Sequence, residues 1–201
     1  MVHVLRPRGE EIGPDVIAAC RRGDREAMRV LYDAYREKVY SIAFYFLHGD
    51  ASAAADVTQQ VFLKVMAGIG SYRGDAAFST WLYRLVMNAC SDRIRQRRHE
   101  TGVADENVIE AVADPATALD ERMAREEVAR AVRAAVAALP PKLRFAILLR
   151  YFDDLSYADM AAALDCTVGT VSSRLSRAHR LLGRQLAALR GAAPQESVVK
   201  G

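Results

Sequence analysis

Residues 155–182 read LSYADMAAALDCTVGTVSSRLSRAHRLL, and this stretch decides the fold. Ser156 can cap a short helix, because Asp159 follows it three residues later in the pattern of a short capping box. The apolar pattern of that helix stops near Leu164. A tight turn is predicted to begin at Asp165, since aspartate tolerates a left-handed backbone. The first half of the stretch therefore predicts one short helix and a sharp turn.

A second helix is predicted to follow the turn, with Thr167 as its N-cap. Its buried stripe consists of apolar residues three or four positions apart, Val168, Val171, Leu175, Ala178 and Leu182. Its opposite face carries hydroxyl and guanidinium groups, on Thr170, Ser172, Ser173, Arg174, Ser176, Arg177 and Arg180. Two short helices joined by such a turn form a helix-turn-helix, which places its second helix in the major groove of DNA.

The exposed face of this second helix suits DNA chemically. Small hydroxyl side chains let the backbone approach the groove, and arginines bond guanine edges or phosphates. Residues 166–190 hold five arginines and no acid, which gives a net charge of +5. An ordinary amphipathic hairpin of helices would show the same apolar stripe. The turn, the two caps and the unopposed arginines together favour DNA binding.

The composition predicts an all-α protein. The chain has 201 residues, 51% of them hydrophobic, which allows one medium domain or two small ones. Glycine and proline number only 12 and 6, so helix is the favoured state. No run of 18 apolar residues exists, and the beginning, MVHVLRPRGEE, lacks the apolar stretch of a signal peptide. We therefore expect a cytoplasmic protein with no membrane insertion.

The residues that hold metals or perform catalysis are sparse and scattered. Cys20, Cys90 and Cys166 lie 70 and 76 residues apart without a CxxC pair, so they are expected to be reduced, structural thiols. The four histidines are isolated, and the chain has no GxxxxGK phosphate loop. Neither a metal site, a cofactor nor an enzymatic activity is predicted.

Hydrophobic periodicity divides the chain into parts. Apolar residues recur at helical spacing in three early segments, residues 28–46, 57–69 and 82–94. They predict a first helical domain over residues 14–98. The period is lost over residues 99–118, which are predicted to be a flexible acidic linker. It returns in a second helical domain predicted over residues 119–190, and residues 191–201 are expected to be a disordered tail.

The charges follow the same division. Residues 73–98 contain six arginines against two aspartates, a net charge of +4. Residues 99–127 contain nine acids against two arginines, a net charge of −7 with histidine neutral. Two basic blocks therefore flank an acidic one. A nucleic-acid-binding protein with two contact surfaces and an acidic connector would show this distribution, although solvated helix faces would also show it.

Residues 72–85, YRGDAAFSTWLYRL, concentrate aromatic and cationic side chains. The segment is either a well-packed core helix or a surface that holds bases out of a DNA stack. Trp81, Arg84 and Asn88 recur at i, i+3 and i+7, so they share a stripe apart from the core positions. Asn88 offers the paired donor and acceptor that reading a base edge requires. Core packing remains an open alternative for three aromatic residues, Phe78, Trp81 and Tyr83.

Three segments together resemble a known family. LPPKLRFAILLRYFDDLSYADMAAALDCTVGTVSSRLSRAHRLL resembles the fourth conserved region of bacterial sigma factors. ADVTQQVFLKV, followed by YRGDAAFSTWLYRLVMNACSDRIRQRR, resembles their second region. The match covers roughly residues 24–98 and 119–186, with no other region between them. This two-domain length is similar to the extracytoplasmic-function (ECF) subfamily of sigma-70 factors.

The resemblance implies a sigma factor, which binds core RNA polymerase and directs promoter-specific transcription initiation. Melted minus-ten DNA would contact Tyr72, Arg73, Phe78, Trp81, Arg84 and Asn88. The minus-thirty-five duplex would contact Thr170, Ser172, Ser173, Arg174, Ser176, Arg177 and Arg180. The clamp coiled coil of the polymerase β′ subunit would contact Asp56, Gln59, Gln60, Phe62 and Lys64. The polymerase β subunit and an anti-sigma factor are further expected partners.

The main alternative is a stand-alone helix-turn-helix transcriptional regulator, whose first domain senses a ligand or dimerises. Such a regulator binds duplex DNA by itself, as a dimer on a palindrome, whereas a sigma factor binds promoter DNA strongly only with core polymerase. An RNA-binding or scaffold protein is a more distant alternative, because it would not explain the well-formed turn and caps.

Overall fold

The computed structural model describes residues 12–101 and 119–191, and within these ranges the chain folds into helices without a strand. The predicted all-α class is confirmed. The α-helices are α1 (Pro14–Arg21), α2 (Arg25–Phe46), α3 (Ala51–Gly68), α4 (Phe78–Thr101), α5 (Leu119–Ala137), α6 (Pro141–Phe152), α7 (Tyr157–Ala163) and α8 (Val168–Gly191). A short 3₁₀ turn, Ile69–Ser71, follows α3.

Helices α1 to α4 form an N-terminal unit. Asp24 begins α2, because its carboxylate accepts hydrogen bonds from the backbone N–H groups of Glu26 and Ala27 at 2.9 and 3.1 Å. Asp50 caps α3 in the same way. The core of the unit is built from stripes at helical spacing, with Leu31, Val39, Ile42, Val57, Val61, Leu82 and Val86 almost fully buried. Helix α4 packs against α2 and α3, and the aromatic segment, residues 72–85, runs from the loop before α4 into its first turns.

Helices α5 to α8 form a C-terminal unit, which contains the predicted helix-turn-helix. The hydroxyl of Ser156 accepts a hydrogen bond from the Asp159 N–H, and that of Thr167 accepts one from the Thr170 N–H at 3.2 Å. Both predicted caps are therefore present. Asp165 lies between the two helices with φ of +47°, the left-handed conformation expected of it.

The predicted linker covers residues 99–118. Helix α4 continues to Thr101, so residues 99–101 are helical rather than part of a connector. Residues 102–118 lie outside the described residues, as do residues 192–201 of the predicted tail.

The N-terminal and C-terminal units pack against each other, which the expectation of a tether did not predict. The ring of Phe46 in α2 stacks on Phe145 in α6, with 3.9 Å between ring centroids. Beside them, the rings of Tyr45 and Phe152 lie 5.0 Å apart. Burial of these apolar rings stabilises the packed arrangement, because it removes aromatic surface of both units from water.

The three cysteines were expected to be reduced, structural thiols. Cys20 and Cys90 are buried and Cys166 is partly buried, all as free thiols. Burial raises the pKa of the Cys90 thiol to about 12, so this group stays protonated at neutral pH.

Among the described helices, none is both long and apolar enough to cross a membrane.

Candidate nucleic-acid and protein interfaces

The polar face of α8 is largely open to solvent. Five of its seven predicted DNA contacts have exposed side chains, namely Ser172, Ser173, Ser176, Arg177 and Arg180. The opposite face is anchored by Val171, Leu175 and Ala178, all nearly fully buried. The helix therefore presents hydroxyls and guanidinium groups outward on a rigid support.

Thr170 and Arg174, the other two predicted contacts, are partly buried in the turn. The hydroxyls of Thr170 and Thr167 lie 2.9 Å apart, and an Arg174 N–H donates to the Cys166 sulfur at 3.5 Å. These contacts brace the start of α8 against the preceding turn. Direct DNA contact by Thr170 and Arg174 stays a prediction.

The loop before α4 is closed by an aromatic cluster. Trp81 is partly buried, with its ring centroid 5.7 Å from that of Tyr72 and 5.6 Å from that of Phe78. The Tyr72 hydroxyl donates to the Ala76 carbonyl at 2.5 Å, which holds the intervening loop closed. The indole also reaches Gly68, where a Cβ would lie 3.4 Å from it, in van der Waals contact.

Two aromatic residues of the segment belong to the core. Phe78 is 5% exposed and packs on Tyr35, with ring centroids 5.5 Å apart, so its ring is not available to a base in this structure. The predicted DNA contact of Phe78 stays a prediction. Tyr83 is 1% exposed, and its hydroxyl donates to Asp153 at 2.7 Å. Desolvation, followed by the Asp153 charge, raises the Tyr83 pKa well above its ordinary value.

The other predicted minus-ten residues are on or near the surface. Arg73, Arg84 and Asn88 are exposed, and Tyr72 is partly buried. The Arg84 guanidinium donates through Nε to the Ala162 carbonyl of α7 at 2.8 Å. The structure thus brings Trp81, Arg84 and Asn88 onto one side of α4, with Arg84 already engaged by the C-terminal unit.

The predicted polymerase-binding face of α3 is exposed except at its aromatic anchor. Asp56, Gln59 and Gln60 are exposed, and Lys64 is partly buried. Phe62 is only 6% exposed, because Tyr32 of α2 covers it edge-to-face at 4.7 Å between centroids. Phe62 thus lies in the core in this structure, and its predicted contact with the polymerase stays a prediction.

An apolar groove of about 710 Å³ lies between α2 and α3, beside that face. Its lining includes Tyr32, Leu63 and Met66, which are 41%, 55% and 53% exposed. Arg25 and Arg29 lie along it. Leu63 and Met66 were not among the predicted contacts, although they follow the predicted contact Gln59 at i+4 and i+7. That spacing puts them on a second stripe of α3, beside the core stripe.

Metal binding has no support among the described side chains, where no three His, Cys, Asp or Glu residues come together as ligands. The candidate sites are three surfaces. The polar face of α8, the Trp81 side of α4 and the groove between α2 and α3 lie on different helices.

Comparison with known proteins gives two family matches within the chain. Residues 31–100 match Sigma-70 region 2, and residues 129–182 match Sigma-70, region 4. The first match contains the groove and the aromatic segment. The second contains the helix-turn-helix.

Individual relatives extend the similarity to most of the chain. The RNA polymerase sigma-H factor of Pseudomonas aeruginosa is 32% identical over 188 residues, 88% of this chain and 95% of the relative. The ECF RNA polymerase sigma-E factor of Escherichia coli K12 is 35% identical over 183 residues, 85% of this chain and 92% of the relative.

Two solved structures share the fold at lower sequence identity. CnrH, solved with the cytosolic domain of CnrY, superposes with a TM-score of 0.67 at 24% identity, over 87% of this chain and 96% of its own. The sigma factor RpoE of Bartonella quintana, solved with the anti-sigma factor NepR, gives 0.64 at 24% identity, over 79% and 96%.

Proposed function

Because the chain belongs to the ECF subfamily of sigma-70 factors, we propose that it binds core RNA polymerase and directs initiation at promoters with defined minus-thirty-five and minus-ten elements. One structural observation carries the proposal. The helix-turn-helix and the Trp81 side of α4 lie in separate units and offer different chemistry, one suited to paired bases and one to an unstacked base.

The minus-thirty-five duplex is assigned to α8. Exposed Arg177 and Arg180 reach guanine edges or phosphates, while Ser172, Ser173 and Ser176 allow close approach of the helix. Thr170 and Arg174 hold the start of the helix against the turn, where their backbone comes near the DNA.

The melted minus-ten strand is assigned to the Trp81 side of α4. An aromatic face stabilises an unstacked base by about 1–3 kcal/mol, and the partly exposed indole of Trp81 offers such a face. Asn88 reads a base edge, and Arg73 and Arg84 attract the backbone. Phe78 supports the indole from within the core.

The polymerase β′ clamp coiled coil is assigned to α3 and the adjoining groove. Tyr32, Leu63 and Met66 supply an apolar centre, and exposed Asp56, Gln59 and Gln60, with Lys64, supply a polar rim. The C-terminal unit contacts the β subunit. An anti-sigma factor is a further proposed partner, because the sigma factor RpoE of Bartonella quintana was solved with one.

Replacing Leu63 by glutamate is expected to weaken binding to core polymerase by about tenfold or more, because it places a charge in the apolar centre of the interface. Fluorescence anisotropy of the labelled chain titrated with core polymerase measures the change. Val30→Glu is the matched control, since Val30 is also an exposed apolar residue, at 46%, but does not line the groove. Equal affinities for the two variants would remove the groove from the polymerase interface.

Replacing Asn88 by alanine is expected to change the preferred base at one minus-ten position, with about a tenfold loss of discrimination. Run-off transcription on a set of single-base minus-ten variants measures this change. Gln96→Ala serves as the control, because Gln96 is another exposed amide of α4 and is bonded within the helix to Glu100. An unchanged base profile for Asn88→Ala, or the same change for Gln96→Ala, would contradict direct reading by Asn88.

The function as a whole is tested by reconstituting the purified chain with core polymerase and a promoter library. We expect transcripts from a subset of templates that share two spaced elements, and none from core polymerase alone. Absence of any selected start site would overturn the proposal. Tight, polymerase-independent binding to a palindrome would favour the alternative, a stand-alone helix-turn-helix regulator.

A further inference from the structure

The four methionines whose side chains the structure describes differ widely in exposure. Met66 of α3 is 53% exposed. Met28 of α2 and Met87 of α4 are partly buried, and Met160 of α7 is completely buried. Among these four, Met66 is therefore the methionine that a reagent dissolved in water reaches most easily.

Met66 also lies at a position where a chemical change affects the proposed function. It lines the groove between α2 and α3, together with Leu63 and Tyr32, and these three residues form the apolar centre assigned to polymerase. Met28 lines the same groove, whereas Met87 and Met160 do not. The exposed thioether thus belongs to the surface that polymerase is proposed to cover.

A thioether becomes polar when it gains one oxygen atom. A sulfur lone pair attacks one oxygen of hydrogen peroxide, the O–O bond breaks, and the other oxygen leaves as water after a proton transfer. The sulfur is oxidised by two electrons and the peroxide is reduced, which leaves methionine sulfoxide. In the reverse reaction, two thiols of a reductase form a disulfide and the sulfoxide oxygen leaves as water.

The sulfoxide is expected to weaken the complex more than the free fold. In the free chain, the new oxygen at Met66 can hydrogen-bond to water, because more than half of the side chain is exposed. In the complex, the same oxygen would be buried between apolar side chains, and a buried polar group without a hydrogen bond is unfavourable. Oxidation therefore acts on binding rather than on folding.

The cysteines offer no comparable site on this surface. None of the three lines the groove, and Cys20 and Cys90 are buried. Burial raises the pKa of the Cys90 thiol to about 12, so the reactive thiolate is scarce. Cys166 is partly buried in the turn of the C-terminal unit, and Cys166→Ser removes this thiol from the experiments below.

We propose that Met66 is an oxidation site through which a peroxide lowers the affinity of the chain for core polymerase, and that reduction of the sulfoxide restores this affinity. The inference rests on the proposed function and adds a reversible chemical control of the polymerase-binding surface. Polymerase that is already bound covers Met66 and protects it from the oxidant.

Peptide mass spectrometry of the peroxide-treated chain locates the oxidation. In the Cys166→Ser background, sulfoxide is expected at Met66 earlier than at Met28, Met87 or Met160, because access to solvent limits the reaction at the other three. Saturating core polymerase should slow the oxidation of Met66 by at least about fivefold. Equal rates at Met66 and the fully buried Met160, or no protection of Met66, would overturn the inference.

Anisotropy titration measures the consequence for binding. The labelled chain is treated with peroxide, freed of peroxide by catalase and titrated with untreated core polymerase. We expect about tenfold weaker binding, since burial of one polar group in an interface has an effect of this size. Methionine sulfoxide reductase should restore the affinity, whereas dithiothreitol alone, which reduces disulfides and sulfenic acids, should not.

Three variants assign the effect to Met66. Met66→Leu keeps the apolar surface and should bind polymerase normally before and after peroxide. Met66→Gln places a polar group there and should bind about tenfold more weakly without any oxidant. Val30→Met, combined with Met66→Leu, returns an exposed methionine outside the groove, and its oxidation should leave the affinity unchanged.

The outcomes separate this inference from the proposed function. If the untreated chain binds polymerase and the chain oxidised at Met66 binds equally well, only the inference fails. A similar loss of affinity in oxidised Met66→Leu would also overturn it, because the effect would then come from another residue. If the untreated chain does not bind core polymerase, the proposed function fails, and the inference fails with it.

Discussion

A variant with Arg144 replaced by methionine will have a free energy of unfolding about 3 kcal/mol lower than the parent protein. Arg144 is only 4% exposed, although it carries a full charge. Its guanidinium donates to the Phe46 carbonyl at 2.5 Å, to the Leu139 carbonyl at 3.0 Å and to the Ala137 carbonyl. Methionine fills much of the volume but leaves these acceptors at the ends of α2 and α5 without the donor.

Arg150→Met is the control for this variant, because it makes the same substitution in the same helix. Arg150 is more exposed, at 37% of its side chain, and pairs with Asp154 at 2.5 Å. Its loss should cost no more than about 1 kcal/mol, as for other exposed ion pairs. Urea denaturation followed by circular dichroism gives both values. Similar losses in the two variants would mean that the buried guanidinium contributes no special stability.

Replacing both Arg177 and Arg180 by alanine will reduce the affinity of the reconstituted polymerase complex for promoter duplex by about a hundredfold. Each arginine is exposed on the polar face of α8, and each lost contact to a base edge or phosphate costs about 1–3 kcal/mol. If both contact phosphates, the slope of log affinity against log salt will also fall by about 1.8, since each released counterion contributes about 0.9.

Binding measured at several salt concentrations separates this effect from a general loss of charge. Arg21→Ala with Arg22→Ala removes the same charge from exposed residues of the N-terminal unit, and should change affinity by less than about threefold. If this control variant lost as much affinity as the variant without Arg177 and Arg180, the loss would be explained by net charge alone. An unchanged affinity without Arg177 and Arg180 would remove these residues from the contacts.

Local chemistry made much of the fold predictable. The hydroxyls of Ser156 and Thr167 can each satisfy a free N–H at a helix start, and Asp165 adopts a left-handed backbone at little cost. These effects depend on residues a few positions apart, so they can be predicted from a short stretch of sequence. Helical spacing of apolar residues likewise marks the cores of both units.

Features that depend on distant residues could not be predicted in this way. Phe62 and Phe78 differ from exposed aromatics only in what covers them, namely Tyr32 and Tyr35 from α2. The helical spacing of apolar residues identifies the buried face of a helix. It does not show which residue of another helix covers the side chains at the border of that face. The groove beside Leu63 also needs two helices at a particular separation.

The contact between the units is the largest difference from the sequence-based expectation. The acidic segment between the domains lacks apolar residues at helical spacing, and this pattern suggested two independent domains. The composition of a connecting segment does not show whether the surfaces of the two domains fit each other. Asp153 shows the problem clearly, because its partners Lys38 and Tyr83 lie 115 and 70 residues away. The residues assigned to DNA and polymerase stay predictions, and two of them, Phe62 and Phe78, lie in the core of this structure.

The most direct test of the account is the affinity of the purified chain for one library-selected promoter, measured with and without core polymerase. A chain that relies on polymerase to position its two reading surfaces should bind at least about a hundredfold more tightly in the complex. That gain should disappear when either promoter element is scrambled. Equally tight binding by the chain alone, unaffected by polymerase, would contradict the account.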